Sequence, residues 1–246
     1  MLLDARNVTM AFGAFKAVDD VSVTVNTGEV LGLIGPNGAG KSTFFNCLTG
    51  DLAATSGTIL FEGRDVTRMT PEHRAALGIA RTFQVPLTFE SMSVLDNVMI
   101  GAFLRYPSAN AARDKARQVV DYVGLGPLSA SPARSLGTPG RKRLEIARAL
   151  ASEPKVLLLD EAMAGLTPGE IRTAIDLVRR IHSTGITLVI VEHIMEVIIS
   201  LADRVVVFHQ GREIARGTPR EVTSNDRVIE AYLGKRHAQK MSTGPA

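Results

Sequence analysis

VLGLIGPNGAGKST, residues 30–43, decides how this chain is read. Val30 to Ile34 is a short apolar run of the kind that makes a buried strand. GPNGAGKST follows at once and fits the spacing GxxxxGK[ST], residues 35–43. Gly35, Gly38 and Gly40 let the backbone curl without Cβ clashes, so that consecutive N–H groups, including those of Asn37 and Ala39 beyond Pro36, turn inward. The helix expected over 41–49 adds the partial positive charge of its N-terminus. A strand, a glycine loop and a helix in that order make a cradle for a phosphate chain. In it Lys41 reaches the β- and γ-phosphates, Ser42 holds Mg²⁺ through its hydroxyl, and Thr43 donates beside it.

A triphosphate carried with Mg²⁺ needs an acidic second anchor. VLLLDE, residues 156–161, supplies an apolar strand that ends in two carboxylates. Successive strand side chains face opposite sides, so only one of the two points at the metal. Asp160 is read as that carboxylate, and Glu161 as the group that orients or deprotonates the attacking water.

Outward from these two segments the chain alternates in type. Strand patterns cover 2–12, 18–25, 57–61 and 79–83, with a turn at Glu62-Gly63-Arg64. From about 85 to 152 strand signals vanish, and helical spacing appears over 94–106, 111–123 and 142–151. Apolar runs and helical patterns then alternate again over 156–159, 168–181, 186–191, 194–201 and 205–208, the pattern of a largely parallel sheet. Thr167 before Pro168 is a helix start, and Gln210-Gly211 a hairpin turn. Residues 235–246 read as a flexible basic tail after a domain of 1–234. No internal repeat is present.

Composition narrows the function classes. With 28 Lys and Arg against 25 Asp and Glu the net charge is only +3, no Trp is present, and no basic run is interleaved with aromatics, so nucleic acid is not an expected partner. A single cysteine, Cys47, excludes an internal disulfide and suits a buried position. The first residues, MLLDARNVTM, lack the layout of a secretory signal, which makes the cytoplasm the expected compartment. The longest apolar runs, 186–191 and 194–201, fall far short of the roughly 20 residues that span a bilayer.

GPNGAGKST and LLLDEA, separated by a helical segment, resemble the nucleotide-binding subunits of ABC transporters over nearly the whole chain. The resemblance implies an α/β fold: a P-loop NTPase (ABC ATPase) core with an N-terminal antiparallel β subdomain and a helical insertion at about 85–152. It implies an ATPase that uses ATP and Mg²⁺, works with two membrane-spanning permease subunits and a second ABC ATPase, and sits on the cytoplasmic face of the cell membrane. Phe12 matches the adenine-stacking aromatic, with Phe15 the other candidate. Gln84 in ARTFQ matches the glutamine that senses the γ-phosphate through Mg²⁺, and His193 in VIVEHIM the histidine that contacts the γ-phosphate. Residues 164–167, AGLT, match the segment that touches the opposing subunit, and 85–92, with Leu87 and Phe89, the groove for a helix of the permease.

One motif departs from the family. Aligned on KRLEIAR, the signature loop, LSGGQ in the family, reads Leu136-Gly137-Thr138-Pro139-Gly140. Gly137 replaces the serine, and Pro139 lacks the N–H that a glycine would donate. The loss suggests one half of an unequal pair of ATPases. The stretches 41–67, 77–98, 142–168 and 217–234 are similar to the LivG-type ATPases of branched-chain amino acid importers, in which a solute-binding protein delivers the cargo. The alternatives are an ABC ATPase for another cargo, such as urea, aromatic acids or exported lipopolysaccharide, and a soluble ABC ATPase with no transport role.

Overall fold

A computed structural model describes residues 1–233, with side chains through Tyr232. The basic tail inferred at 235–246 lies outside the described residues. The described residues form two compact units, 1–70 with 189–233, and 71–188.

In the first unit β1 (Leu3–Phe12) and β2 (Phe15–Val25) form a hairpin whose register runs from Leu3↔Val25 to Phe12↔Phe15. Val21, Val23 and Val25 are buried and the residues between them are not, the period-2 alternation of a one-faced sheet. β2 starts three residues before the expected strand, because Phe15 and Lys16 are exposed hairpin residues held by pairing with β1. β3 (Val30–Ile34) is buried at all five positions, and α1 (Lys41–Thr49) follows it as expected, closed by Gly50 at φ 89°. β4 (Ser56–Phe61) pairs with β1, and β5 (Arg64–Asp65) completes the sheet order β2-β1-β4-β5. Cys47 is fully buried.

The second unit begins with α2 (Pro71–Leu77), a helix whose single short turn pair gave no periodic signal. β6 (Ile79–Arg81) follows, then α3 (Val94–Ala102), α4 (Ala109–Tyr122) and α5 (Thr138–Ala151). α3 stops four residues before the expected end, and residues 103–105 turn so that the Arg105 guanidinium donates to Ala76 O (2.8 Å) and Ser152 O (3.1 Å). α5 starts four residues earlier than expected, at Thr138, because Pro139 is tolerated in a first helical turn. β7 (Val156–Asp160) runs parallel to β6 with Ile79↔Val156 and Arg81↔Leu158. α6 (Pro168–Ser183) opens on the capping box of Thr167 and Glu170. β8 (Thr187–Val191), buried throughout, lies next to β7 in the strand order and carries the chain back into the first unit.

There α7 (Met195–Leu201), β9 (Arg204–His209), β10 (Arg212–Gly217), α8 (Pro219–Thr223) and α9 (Asp226–Leu233) close the fold. The sheet of this unit runs β10-β9-β3-β8, with β9 parallel to β3 and β10 antiparallel to β9. Gln210 (φ 48°) and Gly211 (φ 77°) make the turn between β9 and β10. Val222 of α8 and Val228 of α9 pack on Ile34, Val205 and Val207, so the two last helices bury the underside of the strand that leads into the glycine loop. Among the described residues no helix is long and apolar enough to cross a membrane.

Candidate active site

Gly35 and Gly40 are the points where the loop 35–43 has no room for a side chain. A Cβ on Gly35 would lie 2.2 Å from Phe208 O, and one on Gly40 2.3 Å from Ala17 O, with φ at 148° and 97°. The backbone is thereby seated against β9 on one side and β2 on the other. Lys41, 7% exposed, folds back over the loop and donates from Nζ to Gly35 O (2.7 Å) and Pro36 O (3.1 Å). A short Ala39 N–H to Pro36 O bond of 3.1 Å tightens the arc, and Phe44 is the residue whose N–H reaches back to Gly40 O (2.9 Å). The amides of the first helical turn before Phe44 lie at the positive end of α1, beside the exposed Asn37, Gly38 and Ser42. The amides of a helix N-terminus, one ammonium and one hydroxyl are together a donor set for a polyphosphate.

The two acids stand at the end of β7 in the second unit. Asp160 is 4% exposed, takes the Arg81 guanidinium at 3.5 Å, and donates from its backbone N–H to the Thr82 hydroxyl oxygen at 3.1 Å. Arg81 in turn lies over the Phe83 ring at 4.3 Å. Glu161 takes φ 45°, a left-handed conformation unusual outside glycine. That turn swings its carboxylate onto Gln84, whose Nε2 donates to Glu161 Oε2 at 2.8 Å. Two residues 77 apart in sequence are thus joined by their side chains.

One further residue holds this pair and two more hold the backbone on either side of Gln84; none was singled out by its sequence context. Lys142, 6% exposed on α5, donates to Gln84 O (2.8 Å) and Glu161 O (3.1 Å). Glu145, one turn along, accepts from Phe83 N–H at 3.0 Å and Leu87 N–H at 3.5 Å. Burial drives the Glu145 carboxyl above its ordinary value, against those two amides and the positive charges of Arg148 and Lys142, which pull it down. Asn97 of α3, fully buried, accepts from Phe89 N–H (2.8 Å) and donates to Phe89 O (3.0 Å). The segment after Gln84 is therefore pinned at its backbone while Val85, Leu87 and Phe89 stay exposed.

The sequence matches the ABC transporter family over residues 18–164. The chain belongs to the ABC transporter family. Its C-terminal residues 212–238 also match the family described as branched-chain amino acid ATP-binding cassette transporter. The LivG high-affinity branched-chain amino acid transport ATP-binding protein of Salmonella typhimurium is 37% identical over 252 residues, covering 95% of this chain and 98% of that protein. A probable LivG of Methanocaldococcus jannaschii is 36% identical at the same coverage. Among solved structures, a nucleotide-free ATP-binding cassette of an ABC transporter superposes with a TM-score of 0.87 at 34% identity, over 95% of this chain and 99% of that one. A cassette in its ADP conformation gives 0.86 at 35%.

In this cassette Phe12 and Phe15 stand as neighbours across the β1–β2 turn, 52% and 67% exposed, so neither is a core aromatic. His193 is exposed two residues past the end of β8, just before α7. Residues 164–167 form the turn between Glu161 and α6, with Ala164 N–H on Glu161 O at 3.1 Å. The signature residues Thr138, Pro139 and Gly140 are the first turn of α5, with Gly137 as its N-cap. Among the described residues no group of three or more His, Cys, Asp or Glu could hold a metal by itself. Mg²⁺ takes one or two protein oxygens and completes its shell from water and substrate phosphates; Ser42 in the first unit and Asp160 in the second are each an oxygen donor of that kind.

Proposed function

We propose that this cassette binds ATP with Mg²⁺ and hydrolyses it to drive import of branched-chain amino acids through partner membrane subunits. The observation that carries the catalytic part is the Gln84–Glu161 hydrogen bond of 2.8 Å, which ties a neutral donor-acceptor side chain to a carboxylate at a strand end. The cargo class rests on the LivG relatives and on the C-terminal match at 212–238.

In this reading Gly35, Pro36, Asn37, Gly38, Ala39, Gly40, Lys41, Ser42 and Thr43 hold the phosphates, and Phe12 stacks on the adenine. Ser42 and Asp160, with Gln84, are the residues that would hold Mg²⁺, which would supply charge neutralisation on the phosphates. Glu161 orients a water and takes its proton as the water oxygen bonds to the γ-phosphorus. The bond from that phosphorus to the β–γ bridging oxygen breaks, and ADP leaves with the oxygen. Lys41 offsets the charge on the phosphates, and His193 donates to the departing γ-phosphate.

The exposed Val85, Leu87 and Phe89, on a backbone fixed by Asn97 and Glu145, are the apolar surface that receives a permease helix on the cytoplasmic side of the membrane. A second ABC ATPase completes each ATP site. Pro139 at the second position of α5 removes one amide from the helix end that would face the partner's phosphates. An unequal pair follows, in which the site closed by this signature is the weaker. Two variants test the function. Lys41→Ala loses nucleotide binding, whereas Glu161→Gln keeps binding and loses turnover. A Glu161→Gln protein that hydrolyses ATP at the wild-type rate overturns the assignment.

A further inference from the structure

We propose that Lys142 is a positioning residue that sets the geometry of the Gln84–Glu161 pair, and through it the hydrolysis rate. The inference rests on the ATPase reading above. The Lys142 ammonium bonds to the main-chain carbonyls of the same two residues whose side chains bond to each other: Gln84 O at 2.8 Å, Glu161 O at 3.1 Å, and Gln84 Nε2 to Glu161 Oε2 at 2.8 Å. These contacts close a ring in which two backbone anchors fix one side-chain contact. An ammonium has three donors and no acceptor, so gripping two carbonyls at different heights is within its means.

Backbone strain at Glu161 gives the ring its purpose. A residue with a Cβ at φ 45° is strained and persists only where neighbours over-determine it. The Glu161 carbonyl is held from two sides, by Lys142 Nζ and by Ala164 N–H at 3.1 Å. With the carbonyl fixed, the next dihedral leaves the carboxylate aimed at Gln84. Losing one anchor lets the strained peptide relax toward ordinary values and moves the carboxylate away from the line of attack.

Lys142 is buried at 6% exposure, and a buried charge is tolerated only when compensated. Glu145, three residues on along α5, supplies an opposite charge and grips the Phe83 amide. α5 therefore holds the 83–87 segment by an amide at Phe83 and by a carbonyl at Gln84, and the same helix begins at the signature residues Thr138 to Gly140. A rotation of α5 moves the Lys142 anchor with it, so the signature end and the Glu161 carboxylate are coupled by one side chain.

The test is steady-state ATP hydrolysis and equilibrium binding of a fluorescent ATP analogue, on the full chain with its partner ATPase. Lys142→Met is expected to lower kcat by about 100-fold, the loss typical of a reacting group displaced by an ångström. KM and analogue affinity stay within about twofold, because the Lys41 loop is intact. Lys142→Arg, which keeps the charge and donors, recovers most of kcat; Lys142→Gln, matched for polarity, stands in if the methionine variant does not fold. In a Glu161→Gln background Lys142→Met adds no further loss. Wild-type kcat in Lys142→Met, a rise in KM with kcat preserved, or full additivity with Glu161→Gln overturns the positioning role while leaving the ATPase reading intact. Loss of that reading has its own mark: Glu161→Gln turning over like wild type.

Discussion

Gly38 and Gly40 stand two residues apart in the phosphate loop, both at positive φ, yet alanine should cost far more at one than at the other. At Gly38 (φ 77°) a Cβ meets nothing within 4 Å. Alanine there bears only the left-handed strain of about 1–2 kcal/mol, less about 0.4–1 kcal/mol regained from a stiffer unfolded chain. The net loss is about 1 kcal/mol, which lowers Tm by about 2–4 °C in a chain of this size. At Gly40 (φ 97°) the same strain applies, and the Cβ lies 2.3 Å from Ala17 O and 3.3 Å from the Gly211 Cα. Both neighbours are backbone, one on β2 and one in the β9–β10 turn, so no rotamer change relieves the overlap. An overpacked site of this kind adds about 1–3 kcal/mol.

The assay is thermal unfolding of Gly38→Ala and Gly40→Ala without nucleotide, which keeps contacts to phosphate out of the comparison. The Gly40 variant should melt roughly 5–15 °C below wild type and the Gly38 variant within a few degrees of it. Equal losses, or a larger loss at Gly38, would show that β2 does not buttress the loop. The structural basis for the loop as a preformed cradle would then be wrong.

Three further outcomes follow from the second unit. Thr167→Ala removes the capping box of α6 and should cost about 1 kcal/mol, or about 2–4 °C in Tm; an unchanged Tm refutes the cap. The Thr167 amide, then its hydroxyl, hold the Glu170 carboxyl below its ordinary value of 4.5, so its contribution is complete above that pH and is lost as pH falls through the lower folded value. The Tm gap between wild type and Glu170→Gln should accordingly close on acidification below pH 4.5, and a gap that is constant with pH contradicts the linkage. Phe89→Asp, at a side chain 48% exposed and stacked under Arg148 at 5.7 Å, should abolish transport by the assembled system while ATP analogue affinity is unchanged; normal uptake in reconstituted vesicles removes this surface as the permease contact.

The elements legible in the sequence were those whose local chemistry and burial agree. β3 and α1 were read to the residue, since a five-residue apolar run meets a glycine loop and then a helix with Phe44, Phe45 and Leu48 on its buried face. The same holds for the start of α6, where Thr167 and Pro168 signal one boundary. α2, α8 and α9 went unread because five to eight residues carry barely two turns of periodicity, and they form by packing on the sheets. α5 begins ahead of its apolar periodicity because proline's missing N–H is harmless in a first turn.

The candidate site divides along the same line, with a physical reason. A residue that meets phosphate, metal or water must be of one chemical type at one spacing, and such constraints leave a motif; Lys41, Ser42, Asp160 and Glu161, proposed for those roles, are legible for that cause. A residue that meets the backbone is under no such constraint, because every peptide offers the same carbonyl and amide. Nothing in KRLEIAR says that its lysine reaches Gln84 O and Glu161 O, or that its glutamate reaches the Phe83 amide. Lys142 and Glu145 look like surface charges on an amphipathic helix, and only their burial, at 6% and 2% exposure, separates them from the solvated charges beside them. The residues that aim a catalytic group are thus the least visible in sequence. A buried charge bonded to main chain within one residue of a motif is the structural mark by which to find them.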